Sequence, residues 1–168
     1  MSLSRSFVTI GVVLACACAP VAAATTFAQG LGDATGPLVV AGIAATYFGS
    51  GEHSAAKAAK VADAAAVSLG VAELLKPNLN VDGDGRHLHA FPSGHTAIAF
   101  STASSLAEVF PKQKWALYAG AALIGWSRAE SDAHSWQDVL GGAALGVGVG
   151  KWAMASPDGL LIGKVYKF

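Results

Sequence analysis

Five apolar stretches, at 37–48, 55–75, 96–110, 115–126 and 139–155, constrain this chain more than any other feature. Each is rich in Ala with Leu or Val, and none alternates strictly with period two over any length. That pattern predicts helices rather than strands. Apolar residues make up 53% of the 168 and charged residues only 13%, against a usual charged share of ~25%, which excludes a disordered chain. The length suits one domain. The expected fold is all-α: a compact up-down bundle of about five helices over 25–158, with a tail at 159–168. Small residues, including 20 Gly, suit closely packed helices. Pro37 fits a first helical turn. Pro77 stops the second helix just after Lys76, and Pro111 stops the third. In the tail, Leu161, Gly163, Val165 and Lys167 alternate against Leu160, Ile162, Lys164 and Tyr166, the pattern of a short strand.

Residues 1–24 read as a targeting segment. Arg5 is the only charge before Asp33. The apolar run from Phe7 to Ala19 follows it, then Pro20 and small residues through Ala24. This is the layout of a secretory signal cleaved near Ala22 to Ala24. A retained first membrane helix, or lipidation at Cys16 or Cys18, are the alternatives. Both cysteines lie here, so a cleaved chain has neither a disulfide nor a thiolate metal site. All three readings put the rest of the chain on the periplasmic side of a bacterial inner membrane.

Most of the five stretches fall short of the ~20 residues that span a bilayer. Yet Arg5, Lys57, Lys60, Lys112, Lys114 and Lys151 would share one side if each stretch crossed once, the positive-inside arrangement. A soluble up-down bundle separates alternate turns in the same way. Membrane association therefore stays open. Both readings place the polar segments 76–95 and 127–138 at one end of the bundle. Lys plus Arg and Asp plus Glu number 11 each, so a broad electrostatic grip on nucleic acid is excluded.

Those two polar segments hold the chemistry. In Phe91-Pro92-Ser93-Gly94-His95-Thr96, Pro92 and Ser93 look like a helix start, and Gly94 allows close backbone approach. Free N–H groups at a helix N-terminus bind phosphate readily, and His95 in the first turn would face what they hold. In the second segment, Arg128 closes one helix, and His134 and Asp138 open the next. Their i, i+4 spacing predicts a shared helical face, where the carboxylate would fix the imidazole tautomer. Lys76 and Arg86 flank the first segment as further cations. In a chain with so few charges, this concentration points to a site that holds an anion. Asp82-x-Asp84 reads as a solvated turn, since no Glu follows at calcium-loop distance.

FPSGHTA at 91–97 and SRAESDAHSWQD at 127–138 resemble the second and third signatures of the type 2 phosphatidic acid phosphatase superfamily, which also includes bacterial acid phosphatases and vanadium haloperoxidases. Its pattern is K-x6-RP, PSGH and SR-x5-H-x3-D. The last two match at every defined position. The first departs: nine residues separate Lys76 from Arg86, and His87 replaces the Pro. The resemblance implies a helical phosphatase that needs no metal and no other cofactor. It implies that His134 is the nucleophile, Asp138 orients it, and His95 is the general acid. Arg86, Arg128, Lys76, Ser93 and Gly94 would cradle the phosphoryl oxygens. The implied partner is a phosphorylated substrate, with a membrane lipid among the options. A vanadate haloperoxidase and an inactive membrane scaffold of the same fold are alternatives within the resemblance. A zinc hydrolase built on His87, His89, His95 and His134 is an alternative outside it, but zinc gives no reason for Arg128.

Overall fold

The computed structural model describes residues 26–79 and 89–162. Its helices are α1 (Thr35–Gly49), α2 (Ser54–Leu75), α3 (Gly94–Val109), α4 (Lys114–Glu130) and α5 (Trp136–Ala155). A helical segment at 26–33, which the apolar pattern did not reveal, leads into α1 through a turn at Ala34. A 3-10 turn, Pro111–Gln113, joins α3 to α4. Each apolar stretch corresponds to one helix, and no strand occurs among the described residues. The helices run past the apolar stretches where polar caps extend them. Ser93 starts α3 and Ser135 starts α5, and α4 continues through Ser127 and Arg128 to Glu130. The 1–24 segment, Arg86, His87 and the tail beyond 162 lie outside the described residues.

Helix α3 is the centre of the bundle and packs against each of the other four. Its buried face is made of small residues, among them Ala97, Ala99, Ser101, Ala103, Ser104 and Ser105. Small side chains let backbones approach closely, and α5 answers with its own stripe. A Cβ added at Gly146 would collide with the backbone of Ala97 and Ser101, and one at Gly150 with Ser104 and Ser101. Most of these buried hydroxyls are hydrogen-bonded, as burial requires, Thr102 Oγ1 being an exception among the described residues. Ser68 and Ser101 share a bond of 2.9 Å between α2 and α3, and Ser104 donates to the Ser101 carbonyl at 3.1 Å. The many Gly, Ala and Ser of the sequence are thus the material of the helix contacts.

The described part of the tail, 159–162, is held by a carboxylate. Asp63, fully buried in α2, accepts the backbone N–H groups of Leu160 (2.8 Å), Leu161 (3.1 Å) and Ile162 (2.9 Å). Those donors go to a carboxylate instead of a neighbouring strand. Gly159 makes the turn with φ +69°, and a Cβ there would press on Asp63 Oδ2.

Among the described residues no helix is long and apolar enough to cross a membrane. The alternating helices put Lys57, Lys112, Lys114 and Lys151 at one end of the bundle. The end of α2, the start of α3, the end of α4 and the start of α5 meet at the other.

Candidate active site

Two serine-capped helix starts and one chain reversal build the site. At α3, Ser93 Oγ accepts from the Thr96 N–H (3.5 Å) and the Thr96 hydroxyl (3.1 Å). The Ser93 backbone N–H donates to the Asp138 carbonyl at 3.0 Å, which ties the start of α3 to the start of α5. Beneath this tie, α4 closes in at Gly125. A Cβ there would stand 3.1 Å from Val139 and 3.4 Å from Thr96. Arg128 lies in the last turn of α4. Its carbonyl accepts the N–H groups of Ala133 and His134, both at 3.1 Å. The spacing between Ser127-Arg128 and His134 is therefore the length of one reversal, closed on the Arg128 carbonyl, with Asp132 in the left-handed region at φ 53°.

His134 and Asp138 come together by another route than the expected shared helical face. His134 precedes the cap residue Ser135 and is outside α5. Asp138 folds back in a capping box: its Oδ2 accepts the Ser135 N–H (2.9 Å), and Ser135 Oγ accepts the Asp138 N–H (3.2 Å). The same Oδ2 stands 3.6 Å from His134 Nδ1, beyond hydrogen-bond length. His134 Nδ1 is buried without a hydrogen-bond partner among the described residues. The carboxylate, 1% exposed, is thus behind the imidazole but not locked onto it.

A cavity of about 330 Å³ opens in front of His134. Leu69, Glu73 and Lys76 line it from α2 and its end, Gly94, His95 and Ile98 from α3, and Arg128 and His134 from the reversal. The structure so brings together Lys76, Gly94, His95, Arg128 and His134. Ser93 does not line the cavity. It is fully buried, and its hydroxyl serves the helix cap. Lys76, from the divergent first signature, does reach the cavity, where it pairs with Glu73. His89 is exposed, with Nδ1 3.2 Å from the Lys76 carbonyl. Among the described residues no group of three or more His, Cys, Asp or Glu is placed to hold a metal ion.

The field in the cavity disfavours protonated imidazole. Burial, then Arg128, Lys76 and His95, lower the His134 pKa from 6.5 to about 4, against the opposing pull of Asp138. Burial, then Arg128 and Lys76, also lower His95, while Asp33 and Glu73 act the other way. An anion bound between Lys76 and Arg128 would cancel part of that positive charge and raise both. The cavity is therefore matched to a ligand that brings negative charge with it.

Residues 60–160 match the pattern of the PAP2 superfamily, well over half the chain. The chain belongs to the PAP2 superfamily. The matched span holds every described site residue named above. A lipid A 1-phosphatase from Porphyromonas gingivalis is 40% identical over 72 residues, which cover 40% of this chain and 16% of that protein. The aligned part is thus a small fraction of the relative's length. No solved structure matches the chain.

Within this PAP2 site, sequence reasoning missed Glu73. Its carboxylate reaches the N-terminus of α3, 3.3 Å from where a Gly94 Cβ would be, and pairs with Lys76. The signal was available: Glu73 and Lys76 are three apart, so they share a face at the end of α2. Also missed was the 26–33 segment, whose Gly32 packs so closely that a Cβ would collide with the Arg128 guanidinium.

Proposed function

We propose that this protein is a phosphatase that hydrolyses phosphate esters without a metal, through a phosphohistidine on His134. The observation that carries the reading is the cavity itself. Two cations, the N-terminus of α3 and two largely neutral imidazoles converge there, with a buried carboxylate behind one of them.

His134 Nε2 attacks phosphorus as the ester P–O bond breaks, with Asp138 facing Nδ1 and stabilising the positive imidazole that results. His95, protonated once the anionic substrate is bound, gives its proton to the departing alkoxide. Water then attacks the phosphohistidine. His95 takes the water proton, inorganic phosphate leaves, and His134 returns to its neutral form. Lys76, Arg128 and the Gly94 N–H, together with Arg86, stabilise the phosphoryl oxygens, whose charge grows in the transition state.

Lipid phosphates, polyprenyl diphosphates and small phosphomonoesters are the substrate classes, on the periplasmic side of the cell envelope. The relative's name makes a lipid phosphate the first to test. The test is phosphate release from these three classes, with and without EDTA, by wild type and Arg128→Lys. A planar guanidinium can bridge two oxygens and an ammonium cannot, so the variant should lose about 100-fold or more of kcat/KM, and EDTA should change nothing. Loss of activity in EDTA, or full activity in Arg128→Lys, would refute the reading.

A further inference from the structure

Arg128 stands between two cavities. One is the site cavity described above, and the other, about 320 Å³, is lined by Gln29, Asp33, Arg128, Ser131 and Ala133. A side chain with room on both sides needs something to fix it, because an arginine has much rotamer freedom to lose. Its Nε is buried without a hydrogen-bond partner among the described residues. The stop at this point is steric. A Cβ on Gly32 would collide with Nη1 and stand 3.3 Å from Cζ and 3.5 Å from Cδ. The backbone of Gly32 thus lies along the guanidinium from its stem to its tip, a close approach that a glycine permits.

Gly32 is itself held. It is buried in the 26–33 segment, and the hydroxyl of Thr35, 2% exposed at the start of α1, donates to its carbonyl at 2.7 Å. Ala28, four residues earlier and so on the same face, has no exposed surface. Helix α1 then seats on the central helix, with Gly42 so close that a Cβ would stand 2.9 Å from Leu106 and 3.4 Å from Thr102. Gly30 is the contrast within the same segment: a Cβ there meets nothing within 4 Å.

We infer that Gly32 is a positioning residue for the phosphoryl site, whose bare backbone holds the Arg128 guanidinium toward the first cavity. The inference rests on the reading of that cavity as a phosphate site. A methyl group at position 32 would push the guanidinium toward the second cavity, where Asp33 carries the opposite charge. The planar fork would then no longer bridge two phosphoryl oxygens.

The test compares Gly32→Ala with Gly30→Ala, the same change in the same segment without the collision. Neither glycine has a left-handed φ, so alanine strains neither backbone. Calorimetric titration with inorganic phosphate should show about 10-fold weaker binding in Gly32→Ala and wild-type binding in Gly30→Ala. The value of kcat/KM for a phosphate ester should fall by about 10- to 100-fold in Gly32→Ala alone, the scale of a misplacement near 1 Å. In the Arg128→Lys protein the same change at Gly32 should cost less than about twofold, because lysine has no atom where Nη1 stands, and this non-additivity separates positioning of Arg128 from a general loosening of the fold. Equal losses at Gly30 and Gly32, no loss at Gly32, or an equal loss in both Arg128 backgrounds overturns the inference. If Gly32→Ala does not fold, Thr35→Val takes its place. That variant frees the Gly32 carbonyl without adding an atom, and phosphate should bind about threefold more weakly, the worth of a modest hydrogen bond. Unchanged affinity there overturns the inference. If phosphate binds as expected but no ester is hydrolysed, the phosphatase reading alone fails, and the phosphate titrations decide the role of Gly32. A wild type that binds no phosphate overturns both.

Discussion

Two aspartates are buried in this bundle to nearly the same degree, and they are spent in opposite ways. Asp63, at 0% exposure, accepts three backbone N–H groups of the tail within 3.1 Å. Asp138, at 1% exposure, accepts one backbone N–H, and its nearest ionisable neighbour is an imidazole nitrogen 3.6 Å away. A buried carboxylate must be hydrogen-bonded or paired. Asp63 meets that demand inside the fold and has little left to give. Asp138 meets it with the Ser135 N–H, while His134 Nδ1 facing it has no hydrogen-bond partner among the described residues. Burial alone does not separate a structural acid from a functional one. The count of partners already in place does.

The largest effect expected from this contrast is on activity at Asp138. Asp138→Asn keeps the size of the side chain but removes the charge that stabilises the positive imidazole. We expect kcat to fall by about 10²–10⁴-fold, the usual range for loss of acid–base assistance, with stability changed by about 1 kcal/mol through the cap. A kcat within threefold of wild type would make Asp138 a capping residue only.

Asp63→Ala should do the reverse. It leaves three backbone donors without their acceptor, at about 1–3 kcal/mol for each one that stays buried. Urea denaturation should show a loss of at least about 3 kcal/mol. An unchanged midpoint would mean that water replaces the carboxylate and that the tail is not held by it.

The two aspartates also show how much was legible in the sequence. Helix positions were, because Ala-rich apolar runs and Pro77 and Pro111 mark them locally. The site was legible through Ser93, Arg128, His134 and Asp138, since a capped helix start and a reversal of fixed length need a fixed spacing. The role of Asp63 was not, because its partners are about a hundred residues away in sequence and are backbone groups that no side-chain pattern reveals. The 26–33 segment was missed for a related reason. It is a short helix whose contact with Arg128 depends on the absence of a side chain at Gly32. The alternation at 160–167 is no guide to the described part of the tail, because it says which way side chains point, not where the backbone N–H groups of Leu160, Leu161 and Ile162 find acceptors.

A pH series sharpens the contrast further. His134 becomes protonated only near pH 4, and His95 below its ordinary 6.5. The nucleophile needs a neutral imidazole and the general acid a charged one. The kcat/KM profile should therefore be a bell with its maximum on the acid side of pH 6.5, and His95→Ala should lose the alkaline limb. An optimum above pH 8 would contradict this assignment. Stability carries the same signature. An imidazole whose folded pKa is below its unfolded value binds its proton first in the unfolded chain, so the fold weakens as pH falls from about 6.5 to 4. His134→Asn should flatten that slope in denaturation curves.

The smallest effect is expected at Glu73. Its carboxylate pairs with Lys76 and stands at the N-terminus of α3, so it competes with an incoming anion for the same positive groups. Glu73→Gln should tighten inhibition by inorganic phosphate about three- to tenfold, the effect of an exposed ion pair worth up to about 1 kcal/mol or slightly more. Weaker inhibition would mean that Glu73 serves to hold Lys76 in place.

The central claim is that His134 becomes covalently phosphorylated. It is tested most directly by alkaline quench during turnover of a phosphorus-labelled ester, followed by peptide mapping. The account predicts label on the peptide containing His134, stable in base, lost in acid, as a phosphoramidate is, and absent in His134→Ala. Turnover with no labelled peptide, or acid-stable label on Ser93, would contradict it.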